Sequence, residues 1–137
     1  MSDRTLRVAV GAVALAGLAV SAYLTWVHYS PEALVCTAGG GCEAVQQSDY
    51  ATLVGVPVAL FGVLAYAVVL GLTVWDTPLA RTITAAIGVS AAGFALYLVV
   101  LQAFVIDAWC VWCLVNDLVI VPLLAVLTVW RVRRMSA

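Results

Sequence analysis

Residues 109–130 read Trp-Cys-Val-Trp-Cys-Leu-Val-Asn-Asp-Leu-Val-Ile-Val-Pro-Leu-Leu-Ala-Val-Leu-Thr-Val-Trp. One carboxylate, Asp117, interrupts an otherwise uncharged run. At about 1.5 Å per residue, roughly 22 helical residues reach about 33 Å, enough to cross the hydrocarbon of a bilayer. Barrel strands are shorter and alternate polar with apolar residues, which this run does not do. Inside hydrocarbon every backbone N–H and C=O must be satisfied within the segment, so the run reads as a helix. Three more runs of this kind lie upstream, at 6–27, 54–75 and 82–106. The whole chain has 137 residues, of which 66% are hydrophobic and 9% charged. Soluble domains carry about 25% charged residues. Four crossings take roughly 80 to 90 residues, nearly all of the hydrophobic content. A large water-filled catalytic domain is therefore excluded, and so is disorder. With six arginines and no lysine, so is nucleic-acid binding. The expectation is an all-α integral membrane protein, a single membrane domain over 1–137. It forms a four-transmembrane-helix bundle in the lipid bilayer and acts as a monomer.

The connections differ in length. Asp76–Arg81 reads as a tight turn, and Asp107–Ala108 as a tighter one. Only the loop 28–53 is long. Arg4 and Arg7 precede the first span, Arg81 lies between the second and third, and Arg131, Arg133 and Arg134 follow the fourth. With four spans all six fall on one side, which the positive-inside rule assigns to the cytoplasm together with both termini. The loop and the 107–108 turn then face outward at the cell membrane, carrying Glu32, Glu43, Asp49 and Asp107. Trp26, Trp75, Trp109, Trp112 and Trp130 sit near span ends, as an interfacial belt requires. A cleaved leader ending near Val20-Ser21-Ala22 is the alternative for the first run. The apolar run continues to Val27, longer than a leader's core, so the first helix reads as retained.

Four cysteines carry the chemistry, and all fall on the outward side. Cys110 and Cys113 form a CxxC at the start of the last helix. Positions i and i+3 share a helix face. In the first turn, unpaired N–H groups and the helix dipole favour a thiolate, the reactive form in thiol–disulfide exchange. Cys36 and Cys42 flank Thr37-Ala38-Gly39-Gly40-Gly41, whose three glycines give a shuttle its freedom. Glu43–Tyr50 could form a short extracytoplasmic loop helix with Gln46, Gln47 and Ser48 as polar members. The redox reading stands beside plainer ones: an inert disulfide, small apolar packing, or a metal site made of all four cysteines in a non-enzymatic membrane protein. The oxidising side of the membrane, and the lack of a second closely spaced pair, weigh against zinc.

The loop Cys-Thr-Ala-Gly-Gly-Gly-Cys-Glu-Ala-Val, Ser48 six residues after Cys42, Tyr50, Gly55-Val56-Pro57-Val58-Ala59 and the terminal CxxC together resemble the vitamin K epoxide reductase family in its prokaryotic form. The resemblance covers roughly residues 8 to 130. It implies a helical bundle around a quinone of menaquinone or ubiquinone type near the outer face. It also implies a quinone-dependent thiol oxidoreductase that supports disulfide-bond formation. Cys110 and Cys113 match the active-site pair, with Cys113 facing the quinone. Cys36 and Cys42 match the loop shuttle, Cys36 meeting the partner and Cys42 relaying to Cys110. Ser48 matches a serine beside the quinone pocket. Many prokaryotic members carry a fused thioredoxin-like domain. This chain ends at Ala137, so a separate thioredoxin-like, disulfide-forming protein is the expected partner. The disulfide-bond protein B type also has four spans and two cysteine pairs, but in the reverse order.

One position departs from the pattern. Vertebrate members have a tyrosine four residues after the second CxxC cysteine, where this chain has Asp117, preceded by Asn116. A carboxylate inside a span is costly and marks a functional candidate. Asp117 at i+4 from Cys113 shares that sulfur's face. The expectation is that Asp117 or Asn116 hydrogen-bonds a quinone carbonyl and that Asp117 can supply a proton. His28 reads as interfacial, and Pro122 as a kink in the last helix. Gly11, Gly17, Gly62, Gly71, Gly88 and Gly93 read as sites of close helix packing.

Overall fold

The computed structural model describes residues 2–30, 52–53, 55–107 and 110–136. Among them are four helices long and apolar enough to cross a membrane. Helix α1 spans Asp3–Tyr29. A short antiparallel ribbon, β1 (Thr52–Leu53) and β2 (Val56–Pro57), pairs Leu53 with Val56. Gly55 turns it at φ +78°, a conformation that glycine takes without penalty. Helix α2 then begins at Val58 and runs to Trp75. Helix α3 spans Pro78–Val100 and continues as a wider π turn over Leu101–Ile106. Helix α4 starts as Val111–Val115, passes a second π turn at Asn116–Ile120 and runs on over Val121–Ser136.

The second π turn has a local cause. Pro122 lacks an N–H, and its ring crowds the carbonyl four residues back. The backbone answers just before the ring with a longer loop, in which the Val121 N–H bonds to the Asn116 carbonyl.

The core runs down the bundle axis. Leu6, Val10 and Ala14 of α1 meet Tyr66 and Val69 of α2, Ala95 of α3, and Ile120, Val121, Leu124 and Leu127 of α4. Large apolar side chains also cover the outside, Phe104 being 82% and Val74 77% exposed. In water such a surface would drive association, whereas in lipid it is matched by its solvent. The chain is a multi-pass membrane protein. Four span threonines turn their hydroxyls onto their own helices. Thr25, Thr73, Thr84 and Thr128 each donate to the carbonyl four residues back, at 2.7 to 2.8 Å.

Close approach is confined to particular glycines. A methyl at Gly88 would meet Thr128 Oγ1 at 2.8 Å and the Ala125 Cα at 3.2 Å, so α3 rests on α4 there. One at Gly17 would overlap the Tyr66 ring, and one at Gly62 would meet Ser21 Oγ at 2.7 Å. Gly11, Gly71 and Gly93 have nothing within 4 Å, so the packing role expected of six glycines applies to three.

One end of the bundle is closed by charge. Asp76 ends α2 in the left-handed conformation, φ 53°, with its N–H on the Leu72 carbonyl. Thr77 caps α3, its hydroxyl accepting from the Ala80 N–H at 3.0 Å, and Pro78 follows at a position that suits it. The helix therefore starts at Pro78. Arg81 lies inside it, not in a turn extending over 76–81.

Arg81 Nε donates to Asp76 Oδ1 at 3.0 Å, and its Nη2 to Asp3 Oδ2 at 3.1 Å. Arg131 Nη2 donates to the same Asp76 oxygen at 2.7 Å, and its Nε to Asp3 Oδ1 at 3.5 Å. Arg7 donates to the Thr73 and Val74 carbonyls at the end of α2, both at 2.9 Å. The clasp thus joins the ends of all four helices. The Arg81 hydrogen bond, with a second from Arg131, holds Asp76 below its ordinary value of 3.8 against the opposing cost of burial.

Candidate functional site

The other end is built around the CxxC. Asp107 ends the π turn of α3 in the left-handed conformation, φ 56°, its N–H bonding to the Gln102 carbonyl. Cys110 is the N-cap of α4. Its sulfur accepts from the Cys113 N–H at 3.5 Å, in the role usually filled by a serine or aspartate oxygen. Its own N–H donates to the side-chain oxygen of Gln102 at 2.9 Å. Orphan donors at a helix start are thus met by the thiol sulfur and a buried amide. Cys110 has no exposed surface and packs with Ile106, Val111, Trp112 and Cys113. Trp112 lies edge-on against Tyr23 of α1, ring centres 5.3 Å apart, which ties the CxxC turn to the first helix.

Beside it is a cavity of about 590 Å³, lined by residues of all four helices. Its walls are mainly apolar, including Phe61, Ile83, Phe94 and Leu98, with small residues such as Ala65 and Ala91. Gln102, Cys113, Asn116, Asp117 and Tyr66 supply its polar atoms, with Ser21 and Ser90. Volume and lining are those of a small-molecule site, apolar with a few placed polar groups.

The polar groups form a chain. Tyr66 donates its hydroxyl hydrogen to Asn116 Oδ1 at 2.6 Å. Asn116 Nδ2 donates to Asp117 Oδ1 at 3.1 Å. Asp117 is 4% exposed, and its Oδ2 is buried with no hydrogen-bond partner among the described residues. A buried polar atom without a partner costs about 1 to 3 kcal/mol. In a cavity of this kind it points to a ligand.

The residues singled out by sequence divide in two. Cys113, Asn116 and Asp117 all line the cavity, and Cys110 adjoins Cys113. Cys36, Cys42, Ser48 and the short helix over 43–50 lie outside the described residues. Tyr66 and Gln102 were missed. Gln102 is the one glutamine within a predicted span, and a polar side chain at that depth was a usable signal. Tyr66 had no such signal, because a tyrosine in a span reads as bulk.

Residues 8–128 match the profile of the Vitamin K epoxide reductase family.

Proposed function

The chain belongs to the vitamin K epoxide reductase family, and from that premise we propose that this membrane oxidoreductase oxidises a thioredoxin-like partner and reduces a quinone, supporting disulfide-bond formation. One observation carries the reading. Cys113 lines an apolar cavity that also holds the Asp117 oxygen with no partner among the described residues. A quinone is a flat apolar ring with two carbonyl acceptors, which fits walls of this kind with donors at one end. When bound it supplies an acceptor for two electrons and two protons.

The chain's own residues do the rest. A thiol of the partner attacks the Cys36–Cys42 disulfide at Cys36, and Cys42 leaves as a thiolate. The second partner thiol then attacks the mixed disulfide. Two partner thiols have become one disulfide, and the loop pair holds both electrons. Cys42 passes them on by the same exchange at Cys110, which frees Cys113. Re-forming the Cys110–Cys113 disulfide releases two electrons and two protons into the cavity. The Cys113 N–H at Cys110 Sγ favours negative charge on that sulfur. Asp117, Asn116 and Ser48 are the proposed quinone contacts. Arg4, Arg7, Arg81, Arg131, Arg133 and Arg134 support an orientation with the clasp end in the cytoplasm and the thiol end outside.

The test is quinone reduction by purified protein in detergent, with a reduced thioredoxin-like protein as donor. Turnover that requires Cys113 supports the route. No turnover, with about one zinc per chain and thiols protected from alkylation, would instead make the cysteines a metal site.

A further inference from the structure

The hydrogen-bond chain in the cavity has a direction, and the direction is set from α2. The Tyr66 hydroxyl donates to Asn116 Oδ1, which turns the amide nitrogen toward Asp117. That nitrogen donates to Asp117 Oδ1, so Oδ1 is already an acceptor. Oδ2 has no partner among the described residues and is buried at the cavity wall. The salt bridges of the described residues involve Asp3 and Asp76 at the far end of the bundle, and none reaches Asp117. The ionisable groups around it are Tyr66 and Cys113 in the cavity lining and Cys110 beside Cys113, none of them a cation. A carboxylate without a cation at this depth costs far more than a neutral carboxyl with its hydrogen on Oδ2, and a carbonyl oxygen placed at that hydrogen removes the remaining cost. The tyrosine ring is itself held in place. It is 5% exposed and lies so close to α1 that a methyl at Gly17 would overlap it.

We infer that Tyr66 is a positioning residue of this site: through Asn116 it orients the Asp117 carboxyl so that Oδ2, carrying the hydrogen, is a donor to a carbonyl oxygen in the cavity. The inference rests on the quinone reading for the identity of that carbonyl. Asn116 spends one bond at each polar end within the protein, which gives it a holding role toward Asp117 and leaves its second amide hydrogen for a ligand.

The infrared spectrum tests this without turnover. A protonated-carboxyl stretch that disappears in Asp117→Asn is expected in the wild type at neutral pH. It should move in Tyr66→Phe, which removes only the hydroxyl. It should also move in Gly17→Ala, which displaces the ring and leaves the hydroxyl present. Tyr97→Phe, at an exposed ring absent from the cavity lining, should leave it unchanged. In the quinone assay, Tyr66→Phe should raise KM for the quinone roughly tenfold, the worth of one net hydrogen bond, while kcat changes less. The inference is overturned if Asp117→Asn removes no such band, or if the band is the same in Tyr66→Phe. A wild type that shows the band and its shift but reduces no quinone would overturn the proposed function and leave the orientation of Asp117 standing.

Discussion

At one end of the bundle, two carboxylates and two arginines meet at 2.7 to 3.5 Å, and Arg131 is 3% exposed. At the other, Asp117 is equally buried but keeps one oxygen without a partner among the described residues. Both ends place charge-bearing side chains at the edge of hydrocarbon, where an unsatisfied polar group is expensive. The clasp meets that cost internally and gains a tie between all four helices. The thiol end leaves it partly unmet beside a cavity and two π turns, which often occur at functional sites. The same chemistry, satisfied, is scaffold; left incomplete, it is a place for a ligand.

The sharpest way to break this contrast is at the thiol end. Cys113→Ala should lower thiol-dependent quinone reduction by about 10⁴-fold or more, as removal of a reacting nucleophile does. Its melting temperature should stay close to wild type. Substantial residual turnover would remove Cys113 from the route. The opposite pattern is expected at the clasp. Arg131→Leu leaves Asp3 and Asp76 short of a counter-charge and should cost about 3 kcal/mol of stability, seen as a lower melting temperature in detergent. Its KM for quinone in the cold should be unchanged. An unshifted melting temperature would mean the clasp holds nothing together.

Between the two ends, Gly88→Ala should cost about 1 to 3 kcal/mol, because the added methyl meets Ala125 backbone that cannot step aside. Gly93→Ala, with nothing within 4 Å, should be neutral or slightly stabilising in the same melt. The smallest effect is the clasp's response to acid. Asp76 lies below its ordinary 3.8 in the folded protein, chiefly through the Arg81 hydrogen bond. Its contribution is therefore complete above the unfolded value and is lost as pH falls through the lower folded one. Melting temperature should show no Asp76-dependent change from neutral pH down to about 5, then fall below about 4. Asp76→Asn should lose that acid-side slope, and an identical slope in the variant would assign it to another carboxylate.

Much of this was legible in the chain alone. Four apolar runs of crossing length, arginines confined to one side of them, and a CxxC at the start of the last run identify a membrane bundle with its thiols at one end. Hydrocarbon applies the same local rule to every window of about 20 residues, so composition and length suffice to find its helices. Asp117 was visible for the same reason, as a carboxylate where carboxylates are costly.

Partnership was not legible, because it joins residues far apart in sequence. Tyr66 meets Asn116 across 50 residues, and Arg131 meets Asp3 across 128. From spacing alone Gly17, Gly88 and Gly93 look alike, yet one faces a tyrosine ring, one a helix backbone and one nothing within 4 Å. The sequence by itself determined that polar atoms would be scarce in this membrane and which residues carry them. Only the packing of four helices decided which of those atoms are satisfied, because a hydrogen bond depends on ångström-scale distance and direction that no local pattern encodes.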